Sequence, residues 1–299
     1  MKKILIIGSD GQDAKIIYNK LNNYNNELIL YKKNEINLCS SDVIKSIIKK
    51  TQFDYIYYMA AFHHSSESHE KIEKDILLES INVNSTPILY FLKYIYEYSP
   101  RTKFFYPSSS LIFKNNGLKN ENSQINANCP YSLSKIIGMN YCNYFRVHMK
   151  IFASIGIFFN HESEYRKKNF FTKKIITNLV KIYKKKQSYL EVGSLKKKVD
   201  MGYAYDYMEA VVKIMNHKKP DNFVIATGKL VTLKDFVKIA FSYFNLDYKK
   251  YVKINTDLNL RKNYEIYGDI SKIKKKVGWY PKTSLKEMIS HLINAELNK

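Results

Sequence analysis

Lys3-Ile4-Leu5-Ile6-Ile7-Gly8-Ser9-Asp10-Gly11-Gln12-Asp13-Ala14 carries the chain from a short apolar run straight into a glycine-bearing turn. An unbroken run of Ile and Leu suits a parallel strand buried on both faces. Beyond the turn, Ile16, Ile17 and Leu21 keep helical spacing. Strand, glycine turn and helix in this order give a Gly-x-x-Gly-x-x-Gly/Ala pattern its meaning. Small residues let backbone amides approach a pyrophosphate at a helix N-terminus. Gly8, Gly11 and Ala14 fill the small positions, and Ala14 still permits close helix-to-strand packing. The stretch predicts an α/β fold with a doubly wound parallel sheet, and a dinucleotide cofactor at Gly8, Gly11, Gln12, Asp13 and Ala14.

The second strand is expected at Glu27-Leu28-Ile29-Leu30-Tyr31 and ends in Lys32-Lys33, where an Asp or Glu would normally take the ribose of NAD. A cation there suits a 2'-phosphate, so the reading favours NADP, held by Lys32 and Lys33. NAD is the alternative, with a group such as Asn37 meeting its ribose. Tyr55-Ile56-Tyr57-Tyr58-Met59-Ala60-Ala61 reads as another buried strand, with the small residues Ala60 and Ala61 at the carboxyl edge where ligands bind. His63 and His64 follow; substrate contact is one reading of them, and surface-loop histidines the favoured one.

Lys103-Phe104-Phe105-Tyr106-Pro107 leads into Ser108-Ser109-Ser110, a strand running into hydroxyls. Tyr131-Ser132-Leu133-Ser134-Lys135, behind Pro130, reads as the start of an amphipathic helix. Residues i and i+4 share a helix face, which brings the Lys135 ammonium within reach of the Tyr131 phenol. That charge favours the phenolate and is expected to lower the tyrosine pKa from about 10 toward neutrality, where proton transfer with a sugar hydroxyl becomes useful. The spacing alone is common in a chain with 26 Tyr; its company gives it weight. The glycine turn, Ala60-Ala61, the serine run and Tyr131/Lys135 together resemble the extended short-chain dehydrogenase/reductase superfamily, whose members oxidise, reduce, epimerise or dehydrate nucleotide sugars with NAD(P). By that resemblance the fold is a Rossmann-type doubly wound sheet with a smaller C-terminal substrate domain. Tyr131 would abstract the hydroxyl proton, Lys135 hold the cofactor ribose and Ser109 align the substrate.

The second half is similar to the GDP-mannose 4,6-dehydratase family. Phe159-Asn160-His161-Glu162-Ser163 matches its signature after the catalytic helix, and Phe170-Phe171-Thr172-Lys173-Lys174-Ile175 resembles its Phe-Val-Thr-Arg-Lys-Ile helix. Val192 to Leu195, Val199 to Ala204, Asp206-Tyr207, Phe223 to Gly228, Gly268-Asp269 and Gly278-Trp279-x-Pro281 continue the likeness in order. The resemblance implies a GDP-linked sugar, with Ser110, Leu111 and Asn160 near the substrate, Lys174 by the base and Arg261 on a phosphate. Arg suits that last role because its planar fork pairs phosphate oxygens bidentately. A homodimer or homotetramer is implied on the same ground.

Two departures bear on the reaction. The family's Ser-Thr-Ser-Glu-Leu-Tyr stretch reads Ser108-Ser109-Ser110-Leu111-Ile112-Phe113 here, so the dehydratase glutamate becomes Leu111. Eliminating water across C5 and C6 needs a proton taken from C5 and one delivered to the leaving hydroxyl, and leucine does neither. Val199 replaces the Arg of the family's Arg-Asp-Trp-Gly and removes a phosphate partner. The leading expectation is therefore oxidation or reduction at C4 of a GDP-linked hexose or heptose. The alternative is a complete 4,6-dehydratase drawing its acid or base from His63, His64 or Glu162. A catalytically weak regulatory homologue fits less well, because Ser109, Tyr131 and Lys135 are all present.

Composition is compatible with such an enzyme. A chain of 299 residues with 45% apolar side chains can bury a large core. The reading divides it into a cofactor domain over residues 1–165, joined again by 200–217, and a nucleotide-sugar domain over 166–299. The formal charge of +22 comes from scattered lysines, with short runs at Lys184-Lys185-Lys186 and Lys196-Lys197-Lys198 that read as solvated faces, so nucleic acid is not expected as a partner. No apolar run reaches the roughly 18 residues of a membrane span, so no membrane association is expected. Cys39, Cys129 and Cys142 are isolated and lack metal-type spacing, which fits a reducing cytoplasm and predicts no metal site.

Overall fold

The computed structural model describes residues 1–22, 24–63, 73–255 and 265–299. Its first half alternates β1 (Lys3–Ile7), α1 (Gln12–Asn22), β2 (Glu27–Tyr31), α2 (Ser41–Lys50), β3 (Tyr55–Tyr58), α3 (Glu73–Asn84), α4 (Thr86–Tyr98), β4 (Lys103–Ser109), β5 (Gly117–Lys119), α5 (Pro130–His148) and β6 (Ala153–Phe158). The chain continues through β7 (Asn160–Glu162), α6 (Phe171–Tyr183), β8 (Leu190–Val192), β9 (Lys198–Val199), β10 (Met201–Tyr203), α7 (Ala204–Asn216) and β11 (Asn222–Ile225). It ends with β12 (Val231–Thr232), α8 (Leu233–Ser242), α9 (Tyr248–Tyr251), β13 (Val252–Ile254), β14 (Ile266–Gly268), α10 (Ser271–Val277) and α11 (Leu285–Leu297).

Six parallel strands form the central sheet in the order β11-β6-β4-β3-β1-β2. Alternate side chains of β1 serve opposite faces, as the strand period requires. Leu5 and Ile7 join an apolar layer with Ile44, Phe91 and Met139 of α2, α4 and α5. Ile4 and Ile6 join a second layer with Ile16 of α1 and Met208 and Val211 of α7. The order reverses between β1 and β3, since the chain leaves β1 to one side for β2 and returns on the other for β3. A crevice at the carboxyl ends of strands flanking such a switch is where open α/β sheets bind ligands. A third apolar cluster, built from Ile175, Leu179, Phe236, Phe241, Met288 and Leu292, holds α6, α8 and α11 together.

The chain's return to the sheet extends past residue 217, where the sequence reading places its end. Phe223, Val224 and Ile225 are fully buried, and β11 satisfies its backbone by pairing with the open edge of β6. Trp279, also buried, donates its indole N–H to the carbonyl of Asp206 at 2.9 Å, which keeps the α10 end of the chain on α7. Residues 222–225 and 273–279 therefore pack with the first half.

One buried carboxylate ties these segments together. Asp200, 1% exposed, accepts from Thr227 N–H (2.8 Å), Thr227 Oγ1 (2.5 Å), Gly228 N–H (2.9 Å) and Gly268 N–H (3.1 Å). Burial outweighs these bonds and raises its pKa above the usual carboxylate value. Replacing it by Ala would strand the buried Gly268 N–H, at about 1–3 kcal/mol, and three part-buried donors of Thr227 and Gly228 at less. Asp200→Ala is expected to lower the urea midpoint strongly and Thr227→Val to lower it less; equal midpoints for all three proteins would show that the clamp contributes nothing.

Candidate active site

The glycine turn leaves β1 with Gly8 at φ +80°, a conformation that side chains rarely adopt. A Cβ at Gly8 would also lie 2.6 Å from the backbone of Ala60, so the ends of β1 and β3 can approach this closely only without one. Gly8 N–H donates to Tyr31 O (2.8 Å) and Gly11 N–H to Gly8 O (3.0 Å), while Ala14 is fully buried against the sheet. This cradle at the N-terminus of α1 fits a dinucleotide pyrophosphate. The side chains of Gln12 and Asp13 are committed elsewhere. Gln12 donates to His161 O (3.3 Å) and accepts from Ser163 Oγ (2.9 Å), and the Asp13 carboxylate lies 3.0 Å and 3.1 Å from His161 Nε2. Burial alone would raise Asp13 and lower His161, but their mutual attraction prevails and shifts each the other way. Gln12 and Asp13 thus staple the glycine turn to β7 and leave backbone amides for phosphate.

At the end of β2, Lys32 and Lys33 are both exposed. An acid does stand nearby: Glu35 accepts from Lys32 N–H at 2.8 Å and lies 3.8 Å from its ammonium. The turn after the strand brings Glu35 back, a relation that a reading of the strand end alone misses. Asn37 accepts from Cys39 N–H (3.0 Å) and shapes the next turn, and Ala61 is exposed beyond Ala60.

Ser109 closes β4 and accepts from Leu111 N–H (3.3 Å), capping a short 3-10 turn over Ser110–Ile112. Ser110 is buried and Leu111 is 39% exposed. Pro130 starts α5, so Tyr131 and Lys135 occupy its first two turns. Lys135 is 1% exposed; its ammonium donates to Pro107 O at 2.8 Å and lies 5.6 Å from the centre of the Tyr131 ring. The Tyr131 pKa moves opposite to the expected lowering. Burial raises the phenol, with the Ser109 hydroxyl and the Arg166 guanidinium pulling it down less strongly. Burial likewise pushes the Lys135 ammonium down to about 7, against the attraction of Asp13. Burial thus works against the positive charge on Lys135 that the spacing alone would place beside its tyrosine.

His63, which reads as a surface side chain in the sequence, packs its ring against Tyr131, edge to face, with centroids 4.5 Å apart. It stacks on Phe170 at 5.7 Å, and Phe170 in turn carries the Arg166 guanidinium at 3.8 Å. Glu162 is buried and accepts from Thr172 Oγ1 (2.5 Å), with Arg166 Nε at 3.3 Å. These partners turn it toward α6 and make it a structural acid where the sequence allows a catalytic one. Asn160 starts β7 in an exposed position opposite Met201, and Lys174 sits half-buried in α6. His64 and Arg261 lie outside the described residues.

Asn84 is absent from the sequence reading altogether. Fully buried at the end of α3, it accepts from Phe62 N–H (2.9 Å) and donates to Phe62 O (3.0 Å) and Ser134 Oγ (3.0 Å). Its own carbonyl accepts from Tyr106 OH at 2.7 Å. A lone Asn in a helical stretch carries no pattern that marks it. Arg166 had a signal in its spacing, four residues from both Glu162 and Phe170.

The family model for GDP-mannose 4,6 dehydratase matches residues 7–292. The chain is 30% identical over 274 residues to GDP-mannose 4,6 dehydratase 2 of Arabidopsis thaliana, covering 90% of this chain and 72% of that protein. It is 29% identical over 287 residues to the Drosophila melanogaster GDP-mannose 4,6 dehydratase, covering 86% and 69%. In fold it is similar to RMD from Pseudomonas aeruginosa complexed with NADPH, with TM-score 0.86 at 15% identity over 100% of this chain and 98% of that one. UDP-glucuronic acid 4-epimerase from Bacillus cereus, in complex with UDP-glucuronic acid and NAD, gives 0.83 at 15% identity over 99% of each. The chain belongs to the GDP-mannose 4,6-dehydratase family, and so to the short-chain dehydrogenase/reductase enzymes that modify sugar nucleotides with a nicotinamide cofactor.

Proposed function

We propose that the protein transfers hydride between NADP and C4 of a GDP-linked hexose or heptose without completing a 4,6-elimination. The observation that carries this reading is the surroundings of Leu111. It follows Ser109 by two residues and presents an apolar, 39% exposed side chain where the family has its glutamate. Among the described residues, the carboxylates of Glu162 and Asp13 are engaged, Glu162 by Thr172 and Arg166, and Asp13 by His161 and Gln12. In this reading Tyr131 exchanges the proton of the C4 hydroxyl, Ser109 holds the same oxygen and Lys135 binds the cofactor ribose. The nicotinamide supplies the hydride acceptor or donor when bound. Asn160 and Lys174 are proposed to face the nucleotide diphosphate and base. A second reading, complete dehydration with a relocated acid or base, draws support from one contact, that of His63 with Tyr131.

Three outcomes follow. Tyr131→Phe keeps the ring and removes the proton acceptor, so turnover should fall by about 10²- to 10⁴-fold while cofactor binding, followed by fluorescence, persists; near-normal turnover would refute the role. Incubation with GDP-mannose or GDP-manno-heptose should change the nicotinamide absorbance with no product lighter by one water, and Leu111→Glu should raise any trace of that lighter product. A 4-keto-6-deoxy product formed by the unaltered protein at ordinary enzymatic rates would overturn the reading. NADP(H) should bind more tightly than NAD(H), with a gap that narrows as salt screens the exposed lysines and widens in Glu35→Gln, which releases Lys32; a preference for NAD(H) at low salt would count against Lys32 and Lys33.

A further inference from the structure

Hydride removal at C4 creates a ketone, and a C–H bond next to a ketone is a carbon acid. Whether that acidity is used depends on a second proton-transfer group beside the tyrosine. Among the described residues, His63 is a titratable side chain whose ring meets Tyr131 directly, at 4.5 Å and an interplanar angle of 89°. The phenol serves O4, and C3 and C5 are each one bond from C4. A group packed on that phenol therefore borders the carbons that an adjacent ketone acidifies.

The placement is built. His63 follows Phe62, whose N–H and C=O are both held by the fully buried amide of Asn84, at 2.9 Å and 3.0 Å. The same amide donates to Ser134 Oγ, which donates to Tyr131 O at 2.8 Å. The backbone before the histidine is thus hydrogen-bonded through one side chain to the helix that carries the tyrosine. Phe170 stacks on the imidazole at 5.7 Å and 24°, so the ring is held between α5 and the start of α6 while its residue remains exposed. A surface histidine of no consequence would need neither support.

We infer that His63 is a proton-transfer residue that enolises the 4-keto sugar in this site. A neutral imidazole nitrogen takes the proton from the adjacent carbon as that C–H bond breaks. Its electron pair forms a C=C bond to C4, and the carbonyl electrons move onto O4, which accepts from Tyr131 and Ser109. The reverse step returns a proton that has exchanged with solvent, to the same face or, after a change of pucker, the other. No oxidant is consumed. Loss of water would additionally require a proton on the C6 hydroxyl, which Leu111 does not supply, so the activity is exchange or epimerisation.

This inference rests on the C4-ketone reading above, and the test separates the two by supplying the ketone ready-made. The cofactor-loaded protein is incubated in D₂O with a GDP-4-keto-6-deoxyhexose, deuterium at C3 and C5 is read by NMR and mass, and hydride transfer is followed separately by nicotinamide absorbance with GDP-mannose. The unaltered protein should incorporate deuterium well above an enzyme-free control. His63→Phe, which keeps the ring packing, should lower the ratio of exchange to hydride transfer by about 10²-fold or more. Exchange in His63→Ala should return with added imidazole, a rescue that a merely structural histidine would not show. Absence of exchange in the unaltered protein, an unchanged ratio in His63→Phe, or no effect of imidazole on His63→Ala would each overturn the inference. Exchange without any hydride transfer would leave His63 in place and remove the C4 hydride reading instead.

Discussion

The Asn84 amide is the interaction on which the geometry of the site depends. A fully buried carboxamide costs several kcal/mol if its polar atoms go unpaired, and here both ends are paired, with Phe62 N–H, Phe62 O and Ser134 Oγ. Its backbone carbonyl takes the Tyr106 hydroxyl as well. Four pieces of chain meet at this residue: the loop after β3, the end of α3, helix α5 and β4. None of them can shift alone without stranding a buried polar group. The crevice above the switch point thus has one wall held to backbone precision, which is what positioning reactive groups within fractions of an ångström requires.

Burial also governs the electrostatics, more than sequence spacing does. The i, i+4 relation of Tyr131 and Lys135 brings the two together, but the Lys135 ammonium reaches Pro107 O and lies beside the ring, and the dry environment discourages charge on both groups. Arg166 is the guanidinium that draws the phenol down, seated on Phe170 and steered by Glu162. Asp13 and His161 form a pair in which each stabilises the other's charged form. That pair spans the glycine turn and β7, so the two segments share a single electrostatic joint. The surface surplus of lysine, by contrast, is spread over solvated faces and acts mainly as a long-range attraction for anionic substrates.

Much of this was legible in the residues. Apolar runs ending in Gly8, Ala60 and Ser109 determined three adjacent parallel strands, because a strand buried on both faces leaves no other pattern. Pro130 and the Tyr131/Lys135 spacing determined where α5 starts and which face it turns inward. Ordered motifs through the second half determined the family. What the tertiary structure alone decided are the meetings between residues far apart in the chain. His63 reads as a loop residue until Asn84 and Phe170 hold it to Tyr131. Glu162 reads as a possible acid until Thr172 and Arg166 claim it, and Glu35 becomes a neighbour of Lys32 only through a turn. Asp200 gathers donors from Thr227, Gly228 and Gly268. Such pairings follow from the path of the backbone between elements, and local propensity and periodicity contain no information about that path; they specify which face of a strand or helix is buried, and leave its partner to the packing of the whole.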